Sequence, residues 1–151
     1  MATGFVGFMV DKHWFHFGHD QYLFSFFSTV TGRLEKSWGE RFPVIMNGLC
    51  EDGCIKNKDI NCAQEELRII REELKAFPPK ALIWDIEHPE KMSPWGRNNE
   101  RIRCDAQYPD LSHAFRSEDN VNLLDILEYA FRFALERNAD VELQFHAYKN
   151  K

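Results

Sequence analysis

The chain has 151 residues, of which 44% are hydrophobic and 28% are charged. This size and balance are typical of one globular domain around a single core, and they exclude a disordered chain. The formal net charge of −5 argues against general affinity for nucleic acid, whose phosphates attract clustered Lys and Arg. We therefore predict one domain over residues 1–151, without a nucleic-acid partner.

The first predicted element is a strand at residues 5–10. This almost wholly apolar run is typical of a strand covered on both faces. Residues 14–17 are predicted to pair back on it as a hairpin, although the Asp11-Lys12 link lacks the glycine that a tight turn prefers.

Helical spacing of apolar residues predicts four helices, at residues 20–34, 44–49, 61–77 and 121–137. Asp20 is the expected N-cap of the first, and Asn61 with Gln64 is the expected capping box of the third. The polar face of the third helix, which includes Glu66, is expected to be a solvated mosaic of charges.

Two further strands complete the predicted fold. Residues 81–86 resemble a buried strand, and residues 141–147 alternate strictly between apolar and polar side chains, as a strand with one solvated face does. The order of elements predicts an α+β fold: a small mixed β-sheet with about three to four helices packed mainly on one face.

Two groups of residues have spacings that invite a metal-site interpretation. Three histidines have the spacing H-x-x-H-x-x-H, at His13, His16 and His19. Because the backbone should be extended there, His13 and His16 are expected to point to opposite faces. Three cysteines (Cys50, Cys54 and Cys62) lack the two tight pairs of a structural zinc site, and Cys104 is distant. We predict no metal site and no cofactor.

Asp85, Glu87 and His88 form the nearest approach to an acid–base cluster, at the end of a predicted strand. At period two the carboxylates of Asp85 and Glu87 would share a face, where they could share a proton or hold a cation. An alternative function is therefore a small hydrolase or metal-dependent enzyme. The sequence contains no Ser–His–Asp set, P-loop, nucleophile elbow or dinucleotide fingerprint, so we predict no catalytic residue and no enzyme.

A long polar segment at residues 87–110 is the stronger functional candidate, because connections of this length are uncommon in compact domains. Trp95 lies between Pro94 and Gly96, and its ring is expected either to cover the core or to anchor a partner. The predicted partner-binding surface comprises Asp85, Glu87, Glu90, Trp95 and Glu100.

The first residues of the chain lack the basic region and the cleavage site of a signal peptide. No apolar run approaches the length of a membrane span. We therefore expect a cytoplasmic protein without membrane contact, in which the four cysteines remain reduced.

A series of short motifs follows in order along the chain, from Trp14 to about Leu127. They are Trp14 with Gly18, Phe24-Ser25-Phe26-Phe27-Ser28-Thr29-Val30, Trp38-Gly39, Phe42-Pro43, Glu66-Leu67 with Glu73-Leu74, Trp84-Asp85-Ile86-Glu87, and Pro94-Trp95-Gly96. Together they resemble the immunity protein 70 family, small bacterial proteins of polymorphic-toxin and contact-dependent inhibition systems. One departure concerns the turn before the last helix. The resemblance leads us to expect a Thr-Ser-Asp-Gly-like turn, and this chain has Arg116-Ser117-Glu118-Asp119-Asn120.

The resemblance implies a protein that binds and neutralises a cognate toxin domain inside the producing cell, and it implies no particular binding residues. The acidic charge is compatible with this function, because a toxin that degrades nucleic acid must be basic to hold its substrate. A third interpretation is a structural or homo-oligomeric interaction protein that uses the surplus of aromatic residues.

Overall fold

The computed structural model describes residues 4–88, 109–117 and 119–147. Its strands are β1 (Gly4–Val10), β2 (His13–His19), β3 (Cys54–Ile55) and β4 (Val141–Ala147). Its α-helices are α1 (Asp20–Leu34), α2 (Ile60–Leu74) and α3 (Leu123–Arg137), and a π-helix occupies Val44–Asp52. The four predicted helices are thus confirmed, with shifted ends.

The strands form one four-stranded sheet in the order β2-β1-β4-β3. All three pairings are antiparallel, so the α+β class is confirmed but the sheet is not mixed as predicted. Among the four described strands no pair is parallel, because β1 and β2 are joined by a two-residue turn and β4 runs opposite to both β1 and β3.

The β1–β2 hairpin is confirmed, and its turn consists of Asp11 and Lys12. Their φ angles are 46° and 68°, the left-handed values that both central residues of a tight type I′ turn require. The turn therefore forms without the glycine that usually supplies these angles, at a cost in backbone strain.

The core lies on one side of the sheet. Val6, Phe8 and Val10 alternate along β1 and are fully or almost fully buried, as are the inner faces of the three helices. Phe5 and Met9, on the other side of β1, are only half-buried. The expectation that β1 is covered on both faces was therefore half correct.

The strand predicted at residues 81–86 was wrong. A short 3₁₀ turn at Pro79–Ala81 leads into irregular backbone that lies on α1. We call residues 81–86 the strap. The apolar side chains of the strap are part-buried, as those of a strand would be, but none of the strands that the structure describes pairs with its backbone.

Hydroxyl groups of α1 replace that partner strand. The backbone oxygen of Ile83 accepts hydrogen bonds from Ser25 Oγ at 2.8 Å and Thr29 Oγ1 at 3.2 Å. Thr29 Oγ1 in turn accepts from the Ile83 N–H at 2.9 Å, and Ser28 Oγ accepts from the Ile86 N–H at 3.1 Å. These bonds satisfy the buried backbone of the strap without a sheet.

Two predicted helix caps were also wrong. His19, not Asp20, caps α1, because its Nδ1 accepts the Gln21 N–H at 3.2 Å. The capping box at Asn61 does not form, because a preceding 3₁₀ turn carries the chain directly into α2, which begins at Ile60.

Glu66 departs from the predicted charge mosaic of its helix. Its side chain is 6% exposed, and its two carboxylate oxygens accept the N–H groups of Val44 at 3.1 Å and Ile45 at 2.9 Å. These are unpaired donors of the first turn of the π-helix. Glu66 is therefore an internal cap that joins α2 to the π-helix.

The turn that departs from the family resemblance is closed by Ser117 and Asn120. The Asn120 N–H donates to the Ser117 backbone oxygen at 2.9 Å, and the Val121 N–H donates to Ser117 Oγ at 3.0 Å. Asn120 has a φ of 63°, so it adopts the left-handed conformation for which glycine is usually chosen.

Candidate functional site

The acidic residues after the strap form a turn and not the end of a strand. The Glu87 N–H donates to Asp85 Oδ1 at 3.0 Å, and the His88 N–H donates to the Asp85 backbone oxygen at 3.0 Å. Asp85 is part-buried, while Glu87 and His88 are exposed. The enzyme alternative assumed that Asp85 and Glu87 share one face of a strand. That assumption is wrong, because the two residues belong to a turn, in which one carboxylate oxygen of Asp85 accepts the Glu87 N–H.

A row of aromatic rings connects this turn to the sheet. Trp84 contacts Tyr22 edge to face, with ring centroids 5.7 Å apart, and Tyr22 contacts His19 at 6.2 Å. His19 is the residue opposite Phe5 in the β1–β2 pairing. The turn is thus attached to the same end of the sheet at which β1 begins.

The other three residues of the predicted partner-binding surface, Glu90, Trp95 and Glu100, lie outside the described residues. Of the five, the structure positions only Asp85 and Glu87.

The three histidines occupy three different environments. His13 packs its ring against Phe133 of α3 at 4.7 Å, whereas His16 lies on the opposite side of the sheet beside Trp14. The prediction that His13 and His16 point to opposite faces is confirmed. Within residues 4–88, 109–117 and 119–147, no group of three or more His, Cys, Asp and Glu residues is arranged to hold a metal ion.

Cys50, Cys54 and Cys62 are free thiols. Burial raises the pKa of Cys50 to about 11, and burial also raises the pKa of Cys54 and of Cys62. Cys104 is outside the described residues. Since the thiolate is the nucleophile and the metal ligand, a raised pKa disfavours the reactive form of these three side chains.

The charged face of α2, a second possible interface, is occupied with internal ion pairs. Arg68 makes two hydrogen bonds to Glu65, at 3.0 and 2.5 Å. Arg71 contacts Asp125 at 2.9 Å and Glu128 at 3.0 Å on α3. These side chains already have partners of opposite charge, so this face has little net charge to offer another protein.

The sheet brings together four rings that the sequence did not group. Phe5 contacts Trp14, His16 and His146 at centroid distances of 6.4, 5.6 and 5.3 Å. They come from β2, β1 and β4 and lie on the side of the sheet that faces away from the helices. The period-two spacing of Trp14 and His16 indicates that these two rings share a face of β2. No pattern in the sequence indicates that β1 pairs with β4, which brings Phe5 and His146 together.

No helix in the described segments is both long and apolar enough to cross a membrane. Among known proteins, neither a curated protein nor a solved structure matches this chain significantly. The family model described as immunity protein 70 matches residues 8–143, nearly the whole chain. The match covers β2, β3 and the three α-helices in full, together with the last three residues of β1 and the first three of β4. The chain belongs to the immunity protein 70 family.

Proposed function

We propose that this protein neutralises a cognate toxin by binding it stoichiometrically in the cytoplasm, without catalysing a reaction, and that the toxin is a nuclease. Membership of the family, over residues 8–143, implies an immunity protein that neutralises a toxin, and this observation carries the proposal. The mode of inhibition and the chemistry of the toxin are the parts that we add.

Charge supports a nuclease as the target. The chain has a formal net charge of −5, with 24 acidic side chains against 19 basic ones. An enzyme that binds nucleic acid presents a basic surface to the phosphates, and an acidic inhibitor is attracted to that same surface. Binding there blocks the substrate without any chemical change in the toxin.

We propose the surface around the turn at Asp85 and Glu87, together with Glu90, Trp95 and Glu100, as a contact with the toxin. In its favour, Glu87 is exposed and the turn is held on a fixed support, since the strap is hydrogen-bonded to α1. A fixed loop loses little conformational entropy on binding. A tryptophan beside acidic residues would combine an anchor with electrostatic attraction.

Co-expression with the toxin domain encoded beside this chain tests the proposed function. We expect the chain to restore growth and to copurify with the toxin in a one-to-one complex. The matched control is the toxin domain of an unrelated system, which should remain toxic. If the neighbouring toxin is not bound, or if the purified chain modifies it covalently, binding-based immunity is contradicted.

A further inference from the structure

We propose that the sheet surface facing away from the helices is a docking surface for a basic face of the toxin. This outer face is defined by Phe5, Trp14, His16, Glu142 and His146. The inference rests on the proposed function and deepens it, because it assigns a second contact that the sequence did not indicate.

The aromatic half of the outer face is a contiguous cluster across three strands. Trp14 of β2 contacts Phe5 of β1 at 87° and reaches His146 of β4 at a centroid distance of 5.5 Å. The ring of His146 stacks on Phe5 with an angle of 21° between the planes. His16 and His146 are exposed, whereas Phe5 and Trp14 are half-buried. The cluster therefore presents ring surface to the outside of the molecule.

Trp14 is fixed before any partner arrives. Its ring covers Gly7, where an added Cβ atom would lie 2.4 Å from Trp14 Cζ2. Its indole N–H donates to His16 Nδ1 at 3.3 Å. A ring that is already held in one position loses little entropy on binding, and Trp is among the residues that contribute most to protein interfaces.

The other half of the outer face contains Glu142 and an open depression lined by charged side chains. Met9 and Glu142, which are paired across β1 and β4, line an open depression together with Asp11, Lys12, Ala139 and Asp140. Three carboxylates there face one lysine. Asp11 and Asp140 form salt bridges with Arg137 at 3.8 Å and Lys56 at 3.7 Å, so Glu142 is the carboxylate of this depression that no salt bridge among the described residues neutralises.

This combination of features selects a basic protein as the occupant. Aromatic sheet surfaces that stack nucleic-acid bases are bordered by basic residues, which attract the phosphates. The rings of the outer face are bordered instead by the exposed carboxylate of Glu142, which would repel phosphates. A second copy of the chain also has a net charge of −5, so its carboxylates would repel those of the first copy. Arg and Lys of a basic partner satisfy both halves, because they pair with carboxylates and pack over aromatic rings.

The outer face is also continuous with the turn at Asp85. Phe5 is opposite His19 in the sheet, and His19, Tyr22 and Trp84 contact one another in sequence up to that turn. An ordinary protein interface covers roughly 800 Å² on each partner, which is wide enough to include both surfaces. One toxin domain can therefore contact them together.

Titration calorimetry and binding kinetics with the toxin domain encoded beside this chain test the inference. We expect Trp14→Ala to weaken affinity by about thirtyfold or more. Glu142→Lys should slow association by about fivefold at low salt. The matched controls are Tyr129→Ala, which also removes an aromatic ring, and Glu136→Lys, which makes the same charge reversal; both are at exposed positions of α3 and should leave binding unchanged. His146→Ala, also at an exposed position, keeps the test decisive if Trp14→Ala does not fold.

Each outcome is informative. Normal toxin binding by the folded outer-face variants overturns this inference and leaves the proposed function intact. Absence of toxin binding by the unmodified chain defeats the proposed function and this inference with it. Binding of a single-stranded oligonucleotide that Trp14→Ala abolishes would assign the face to nucleic acid. A dimer in sedimentation that Glu142→Lys or Trp14→Ala alters would assign it to a second copy. Either of these last two results also overturns the inference.

Discussion

Glu66 is the residue whose environment differs most from its sequence context. It lies in a helix rich in charged side chains, yet it is buried and caps the first turn of the π-helix. Burial, the largest effect, raises the pKa of Glu66, and the N–H donors of Ile45 and Val44 oppose that shift in part. The folded protein therefore holds a proton on this carboxyl group more tightly than the unfolded chain does.

Replacement of Glu66 by Gln should change the pH dependence of stability. Because the folded-state pKa is raised, the contribution of Glu66 is fully present below its unfolded pKa of about 4.3 and is lost as pH rises through the folded pKa. Glutamine does not titrate. Denaturant titrations between pH 4 and 7 should therefore show the unfolding free energy of the unmodified chain falling relative to that of Glu66→Gln. If the unfolding free energy of the unmodified chain instead rises with pH relative to that of Glu66→Gln, the raised pKa of Glu66 is contradicted.

Trp95 offers a second test at the level of a single side chain. If it anchors the toxin, Trp95→Ala should cost about 2 kcal/mol or more of binding free energy and leave the melting temperature unchanged. If instead its ring covers the core, the same variant should lower the melting temperature, as the loss of a large core side chain does. Both quantities should be measured on one protein preparation, with Trp95→Phe as the control that retains a ring.

The strap is the element through which helix α1 supports the proposed contact surface. Thr29 is central to it, because its hydroxyl group both donates to and accepts from the backbone of Ile83. Gly32 allows close approach, since an added Cβ atom there would lie 2.3 Å from Ile83 Cδ1. The strap is therefore fitted to one face of α1.

Thr29→Val should destabilise the protein by about 1–3 kcal/mol, because it removes the acceptor of the part-buried Ile83 N–H, while the Ile83 backbone oxygen keeps its bond from Ser25. Thr29→Ser keeps the hydroxyl group and should lower the free energy of unfolding much less. Chemical denaturation of the two variants against the unmodified chain measures both. A loss of stability in Thr29→Ser but not in Thr29→Val would show that the methyl group, and not the hydrogen bonds, fixes the strap.

The strap also shows why some elements could be predicted and others could not. Periodicity identified β4 and the helices, because each exposes one face and buries the other, whereas β1 was identified from a continuous apolar run. Residues 81–86 have the apolar composition of a buried strand, but the hydrogen-bond partners of their backbone are hydroxyl groups more than 50 residues away in sequence, which donate to Ile83 and accept from Ile86. A local pattern records which side chains are buried and does not record what the backbone bonds to.

The proposed contacts were predictable to a smaller extent than the fold. The turn residues Asp85 and Glu87 were recognised from the sequence, although a strand end was expected in place of a turn. Glu66 was misjudged because helical spacing places it at the border between the polar and apolar faces. The cluster around Phe5 was missed because it depends on the register between β1 and β4, which the sequence does not state.

The electrostatic part of the proposal predicts how complex formation depends on salt. Raising the ionic strength from about 0.05 M to about 0.5 M shortens the screening length and should slow association with the toxin by on the order of tenfold. Dissociation, which depends on close contacts, should change much less. Stopped-flow kinetics on the purified pair measures both rates. An association rate that is independent of salt would contradict electrostatic attraction between this acidic chain and a basic toxin.

The adjacency of β1 and β4 at the centre of the sheet has a consequence for timing. β1 must wait for a strand made near the far end of the chain, and at 5–20 residues per second a ribosome needs on the order of ten seconds to reach it. Until then one edge of β1 is unpaired and Phe5 lacks the ring of His146. A newly started chain therefore gives no protection during its own synthesis. A cell that depends on this protein must hold a stock of finished copies before the toxin is present.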